Sequence, residues 1–428
     1  MTAGKDNTPR SSRRGLLAAA GGLVAAAGGL AASGAGSAVR AATVDAAPRP
    51  PAATEPFWGT HQAGIVTPAQ SHTYFAAFDL TTDKRDAVIT LLRSWTRASA
   101  RLTTGQTAEP LQGDGDAPAP DSADAVGLSP ARLTMTFGFG PGLFIKDGKD
   151  RYGLAGHRPE ALIDLPRFNG DQLVPEKTGG DLSIQACADD PQVAFHAVRQ
   201  LAQMAYDVAE LRWAQTGFLS RPEDGSTPRN LMGFKDGTQS PEQVDKAVWV
   251  NEDGPVWMRG GSYLVVRRIR MALEHWDRTK VAFQEQTMGR HKYSGAPLGL
   301  KDEFEPLGLN RNDSDENPII PEGAHVRLAN AAENQAAEIL RRGYSYNDGV
   351  NFTAERWPPW RQGMEYDAGL LFICYQTDPR TGFVKLFEKM AKFDMLNQFV
   401  THTGGGLFAC PGGAREGEFI GQALFENT

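Results

Sequence analysis

The chain has 428 residues, 41% hydrophobic and 22% charged, enough to bury a large core and to form two domains rather than one. A formal charge of −7 and a pI near 5.7 leave no basic field to gather phosphates, which excludes nucleic acid as an expected partner and favours an organic ligand. Three widely spaced cysteines, Cys187, Cys374 and Cys410, make neither a disulfide framework nor a thiolate metal site.

Residues 1–47 stand apart from the rest. Lys5, Arg10, Arg13 and Arg14 form a basic head, and Gly15 to Ala32 is a weakly hydrophobic run too rich in Gly and Ala for a permanent membrane span. Ser12-Arg13-Arg14-Gly15-Leu16-Leu17 looks like a twin-arginine export signal, the route that carries folded proteins, with cleavage expected between Ala35 and Ala47. The expected destination is the periplasm, cell envelope or extracellular space. The Pro- and Ala-rich run Ala46 to Glu55 reads as a linker, set at residues 48–56, ahead of domains at 57–240 and 241–428.

Thr73 to Leu80 alternates like a strand, and Asp83 is expected to cap a helix whose apolar positions Val88, Leu91, Leu92 and Trp95 have helical spacing. Gly105 to Asp124, rich in Gly, Pro and Asp, reads as a mobile loop. Strands are expected at Leu133 to Phe139 and Leu182 to Cys187, then an amphipathic helix from Asp190 to Ala209. The second half repeats the order: a strand at Tyr263 to Met271, a helix at Ala272 to Thr287, a strand at Gly369 to Tyr375, a helix at Val384 to Phe399. This βαββαβ-like order is consistent with an α+β fold of two ferredoxin-like domains with antiparallel sheets.

Three short segments carry the candidate chemistry: Gly233-Phe234-Lys235-Asp236-Gly237-Thr238, Ala324-His325-Val326-Arg327, and Ile339-Leu340-Arg341-Arg342-Gly343-Tyr344-Ser345-Tyr346. Asp-Gly alone is a common turn signal, but Gly233 and Gly237 on either side would also let the backbone approach a flat ligand closely. Together with Gly261 to Met271, Gly289 to Leu298 and Gly417 to Phe425, these segments make the chain resemble the dye-decolourising peroxidase family, most closely its exported branch, which includes deferrochelatase/peroxidases of bacterial iron uptake. The resemblance runs from Phe57 to Phe425.

It implies the two ferredoxin-like domains again, with one haem b per chain held mainly by the C-terminal one. Haem needs a strong axial ligand, and neutral imidazole is the common choice. His61 and His72 lie near the mature N-terminus, His157 in a Gly-rich loop, His196 and His275 among charged neighbours, and His291 between Arg290 and Lys292. The match to the family's His-Ile/Val-Arg segment selects His325 as the metal ligand. A carboxylate on its other ring nitrogen would raise its basicity, but the sequence does not say which.

By the same resemblance Asp236 moves a proton between the two oxygens of hydrogen peroxide, and an arginine stabilises the charge that develops as the bond between them breaks. Arg341 and Arg342 are both candidates. Adjacent residues of an extended segment face opposite sides, so only one reaches the haem, and family alignment favours Arg341. Gly237, Thr238, Arg268, Arg290 and Arg327 are candidate contacts to haem, the arginines to its propionates. Tyr344, Tyr346, Tyr375 and Trp257 are candidates for surface-near electron transfer from dyes too bulky to reach the iron. An acidic optimum for dye oxidation is expected.

The expected function is an exported haem b peroxidase that reduces hydrogen peroxide and oxidises dyes, phenols or similar one-electron donors. Two alternatives stand beside it. One is a deferrochelatase, which releases iron from haem, leaves the porphyrin intact and has an iron-uptake permease as its partner. The other is a non-catalytic haem-binding or iron-delivery protein. Neither the natural donor nor the oligomeric state is read from the residues.

Overall fold

Alternation along the strands decides the architecture. In β1 (His72–Leu80), Ala76 and Phe78 enter one apolar cluster while Phe75 and Ala77 enter another. The same split recurs in β5 (Ser262–Met271), with Tyr263 and Val265 against Leu264 and Val266, and in β9 (Val400–Cys410), with Leu407 and Ala409 against Phe408 and Cys410. Successive side chains of a strand point to opposite faces, so both faces of this sheet are buried. The computed structural model describes residues 53–111, 115–241, 243–352 and 364–426. The signal-like residues 1–47 and the first part of the linker lie outside the described residues.

The remaining strands are β2 (Thr134–Phe139), β3 (Leu182–Ala188), β4 (Ala209–Phe218), β6 (Leu340–Arg341), β7 (Tyr344–Phe352) and β8 (Met364–Gln376). In the first half the order is β4-β1-β3-β2 and in the second β9-β5-β8-β7, all pairs antiparallel. Each half is thus the ferredoxin-like βαββαβ arrangement. The halves join where Phe139 of β2 faces Ala409 of β9 and where Phe218 of β4 faces Ser345 of β7, which closes eight strands into a ring. One cluster, with Phe75, Trp213, Tyr344, Tyr375 and Phe408, fills its inside. The other lies under the helices Arg85–Leu102 and Pro191–Met204, with Leu91, Trp95, Val193 and Leu201.

Several element expectations are corrected. The first helix starts at Arg85 after Lys84, and no side chain caps it, so Asp83 is not its cap. The Pro191–Met204 helix is capped by Asp190, whose side chain accepts from Gln192 N and Val193 N, and it ends early because Ala209 already opens β4. The expected helix at 272–287 is two short ones, Leu273–Trp276 and Val281–Met288, and the one at 384–399 stops at Phe393. Asp394 then caps a 3₁₀ turn, Met395–Gln398. The described part of the 105–124 loop is pinned: the buried Asp121 carboxylate accepts from Ala108 N and Ala123 N.

β4, β6, β7 and β9 were not expected. In β9, Gly405 has φ +141° and a Cβ there would lie 2.1 Å from the Val266 carbonyl oxygen, so only glycine permits the close approach to β5. β6 and β7 are one strand broken at Arg342-Gly343, both lying along β8. The cysteines are free and buried, and burial pushes the Cys374 and Cys410 thiols up. Among the described residues no helix is long and apolar enough to cross a membrane.

Candidate active site

His325 opens a four-residue helix, His325–Leu328, in the long connection between β5 and β6. Gly289, at φ +80°, lets that helix seat against Val281–Met288, since a Cβ there would lie 2.5 Å from Val326 Cγ2. The imidazole Nδ1 donates to Asp394 Oδ2 at 2.7 Å, and the Asp394 side chain is almost fully buried. The other Asp394 oxygen accepts from Leu396 N at 2.8 Å. Burial by itself would lower the His325 pKa, but the Asp394 charge and hydrogen bond outweigh it and hold the imidazole above its ordinary value. With Nδ1 committed, Nε2 makes no hydrogen bond among the described residues and keeps its lone pair for a metal.

Asp236 sits in a turn tied down by its own backbone. Its N–H donates to the Pro228 carbonyl at 2.8 Å, and Asn230 Oδ1 accepts from Met232 N and Phe234 N. The Phe234 ring is buried against Trp276, whose Nε1 donates to the Met232 carbonyl at 2.9 Å. Asp236 Oδ1 accepts from an Arg341 guanidinium nitrogen at 3.0 Å, while among the described residues Oδ2 has only Asn230 Nδ2 at 3.5 Å. Both Asp236 and Arg341 act on the His325 charge, so the three share one electrostatic neighbourhood.

The break in the strand after β6 sends the two arginines apart. Arg341 is 39% exposed on the Asp236 side. Arg342 is buried and donates to the Thr67 carbonyl and Gln70 Oε1, so it is not brought to Asp236. Gly237 is exposed at φ +116°, where a Cβ would meet only Thr227 Cγ2, at 4.0 Å, among the described residues. The Thr238 hydroxyl is turned away to Glu303, at 3.0 Å.

The three arginines expected to meet haem propionates are all engaged by protein groups, Arg290 through a single nitrogen. Arg268 is buried, donating to Asp348 and Asp367 at 2.8 Å each and lying over the Tyr346 ring, so an added carboxylate would meet two already in place. Arg327 holds the carbonyls of Leu309 and Ile320, clamping its own loop. Arg290 is buried without a carboxylate partner among the described residues; one guanidinium nitrogen donates to the Gly295 and Glu303 carbonyls, and its other nitrogens make no hydrogen bond. Burial lowers its pKa, with Glu303 opposing.

The four aromatics expected near the surface are a correction. Tyr344, Tyr346, Tyr375 and Trp257 are all buried, because the alternation of β7 and β8 turns Tyr344 and Tyr375 into the ring. His196 is locked between Asp121 and Asp124, and His291 beside Glu285. His402, not weighed in the sequence, is buried on β9, where Nδ1 accepts from Arg267, itself paired with Asp171. Burial and then Arg267 push the His402 imidazole down to about 3. A surface concavity of about 580 Å³ beside Asp86, Glu109 and Gln200 gathers none of the candidate residues. Asp394 and Glu303 are the site carboxylates that sequence reasoning missed.

Residues 62–219 match the family described as Dyp-type peroxidase, N-terminal, and residues 227–415 the one described as Dyp-type peroxidase, C-terminal. The chain is 40% identical over 385 residues to the dye-decolorizing peroxidase of Thermobifida fusca, covering 85% of this chain and 84% of that one. It is 38% identical over 386 residues to the deferrochelatase of Escherichia coli K12, covering 86% and 87%. The solved structure of ferric DtpA from Streptomyces lividans is similar with a TM-score of 0.78 at 39% identity, covering 88% of this chain and 98% of that one.

Proposed function

The chain belongs to the Dyp-type peroxidase family and is a haem-dependent peroxidase, and from that premise we propose that it carries one haem b on His325 and uses Asp236 and Arg341 to cleave hydrogen peroxide. The donor set fits such a group: an imidazole with a free Nε2 and a carboxylate-anchored Nδ1, with a proton-carrying carboxylate and a guanidinium in the same neighbourhood. When bound, haem supplies the two electrons of peroxide reduction and regains them singly from an organic donor.

Asp394 orients the imidazole and makes it more electron-donating. Asp236 Oδ2, the oxygen not held by Arg341, accepts a proton from one peroxide oxygen and returns it to the other, which leaves as water. Arg341 pairs with the carboxylate through Oδ1 and offers its positive charge to the breaking bond. Arg290, which among the described residues has uncommitted donors and no carboxylate in ion-pair contact, is the arginine that suits a propionate.

The observation that carries this reading is the Asp236–Arg341 pair within electrostatic reach of His325. Stopped-flow spectra of the holoenzyme with one equivalent of peroxide test it. A Soret band that changes within milliseconds in the wild type, and slowly in Asp236→Asn and Arg341→Ala, is expected; equal rates in all three would overturn it. A haem carrier without turnover would be indifferent to Asp236→Asn.

The relatives named deferrochelatase favour a second reading on the same residues, iron release to an iron-uptake permease. Porphyrin fluorescence appearing without loss of the macrocycle would select it. Export by the twin-arginine route completes the proposal, and rests on Ser12 to Leu17 and the Ala-rich run after it. Changing Arg13 and Arg14 to Lys should retain the protein in the cytoplasm.

A further inference from the structure

The turn that bears Asp236 is gripped from outside the site. Glu303, with its side chain almost fully buried, takes Lys235 Nζ, the Thr227 hydroxyl and the Thr238 hydroxyl on one carboxylate. Lys235 precedes Asp236, Thr238 follows it by two, and Thr227 lies just ahead of Pro228, whose carbonyl accepts from Asp236 N. Arg229 adds a second fastening, donating to the Gly233, Lys292 and Tyr293 carbonyls at 2.7–2.8 Å. Arg290 in turn holds the Glu303 carbonyl at 2.9 Å.

Asp236 itself has one firm side-chain bond, to Arg341, and that arginine is part-exposed on a two-residue strand. A pair of exposed side chains does not fix a carboxylate to within a fraction of an ångström. A buried carboxylate with three charge-assisted bonds does. Burial would raise the Glu303 pKa, but Lys235, Thr227 and Thr238 hold it below the ordinary carboxylate value, so it stays ionised and keeps its grip into the acid range.

We infer that Glu303 is a positioning residue for peroxide cleavage: it sets the place of Asp236 by clasping Lys235 and Thr238 on either side of it. The inference rests on the reading of Asp236 as the proton carrier. Displacing a reacting group by about 1 Å costs on the order of a hundredfold in rate, which sets the scale.

The test measures the second-order rate of the holoenzyme with hydrogen peroxide in the wild type, Glu303→Gln, Asp236→Asn and the double variant. Glu303→Gln should slow that step by roughly tenfold to a hundredfold, raise KM for peroxide, and leave the Soret band and the turnover at saturating peroxide unchanged. In the Asp236→Asn background it should add almost nothing, because it acts through the residue already removed. A wild-type rate in Glu303→Gln, or the same loss in both backgrounds, overturns the inference. If Asp236→Asn itself reacts at the wild-type rate, the proton-carrier reading falls, and this one with it. Thr238→Val removes one of the three bonds while Lys235 stays paired. A severalfold loss is expected from it, and no loss would count against the clasp even if Glu303→Gln does not fold.

Discussion

Replacing Asp394 by Asn keeps the size of the side chain but leaves one acceptor oxygen, so that the amide oxygen set on His325 Nδ1 is a neutral acceptor in place of a charged one and the Leu396 N cap is given up. A hydrogen bond to an ionised acceptor contributes about 1.5–3 kcal/mol and a neutral one about 0.5–1.5, so roughly 1–2 kcal/mol of interaction with a more positive iron is lost. For a one-electron couple 59 mV corresponds to a tenfold change, about 1.4 kcal/mol, which makes the expected rise in the ferric/ferrous midpoint roughly 40–90 mV. The sign follows because an anion behind the imidazole favours the oxidised metal. Redox titration followed at the Soret band measures it, and the peroxide step should slow by about ten- to a hundredfold. An unchanged midpoint in a variant that is merely less stable would show that Asp394 holds His325 in place without tuning it.

Arg341→Leu should slow the peroxide step by roughly a hundredfold or more while leaving unfolding unchanged, since the side chain is part-exposed and, among the described residues, pairs only with Asp236. Arg342→Leu should do the reverse, lowering stability in urea by roughly 2–3 kcal/mol because the buried Gln70 and the half-buried Thr67 carbonyl lose their donor. The buried His402, held down at about 3, contributes stability that is complete above its unfolded value of about 6.5 and is lost as pH falls toward 3, at most roughly 5 kcal/mol. His402→Phe should flatten the pH dependence of denaturant unfolding between 6.5 and 3, and an unaltered slope would refute this. His325→Ala should abolish the Soret band and leave the far-ultraviolet circular dichroism intact.

Asp236, His325 and Arg341 were legible as candidates because each lies in a short segment whose neighbours are as distinctive as the residue itself. Asp394 was not, since it meets His325 from 69 residues away and looks in sequence like an ordinary helix-ending aspartate. Glu303 is hidden for the same reason, its partners Lys235 and Thr238 lying on the far side of β5. The helix patterns on Val88 to Trp95 and Asp190 onward survived because one face alone is buried. β9 was obscured by its glycines and β7 by an internal Asn-Asp-Gly turn signal, both tolerated because flanking strands supply the order that local propensity lacks. Arg268, expected at a haem propionate, is instead buried and paired with Asp348 and Asp367, as a strand with both faces covered gives no polar alternation to warn of it.

Closing the ring at β9 has a consequence for biosynthesis. The strand that covers the free edges of both β2 and β5 is Val400–Cys410, which is made after the other strands of the ring. Until it emerges, a nascent protein carries two bare rows of backbone donors and acceptors, the kind of template on which neighbouring chains stick together. Message truncation or premature arrest upstream of Val400 would therefore yield aggregates rather than a working half.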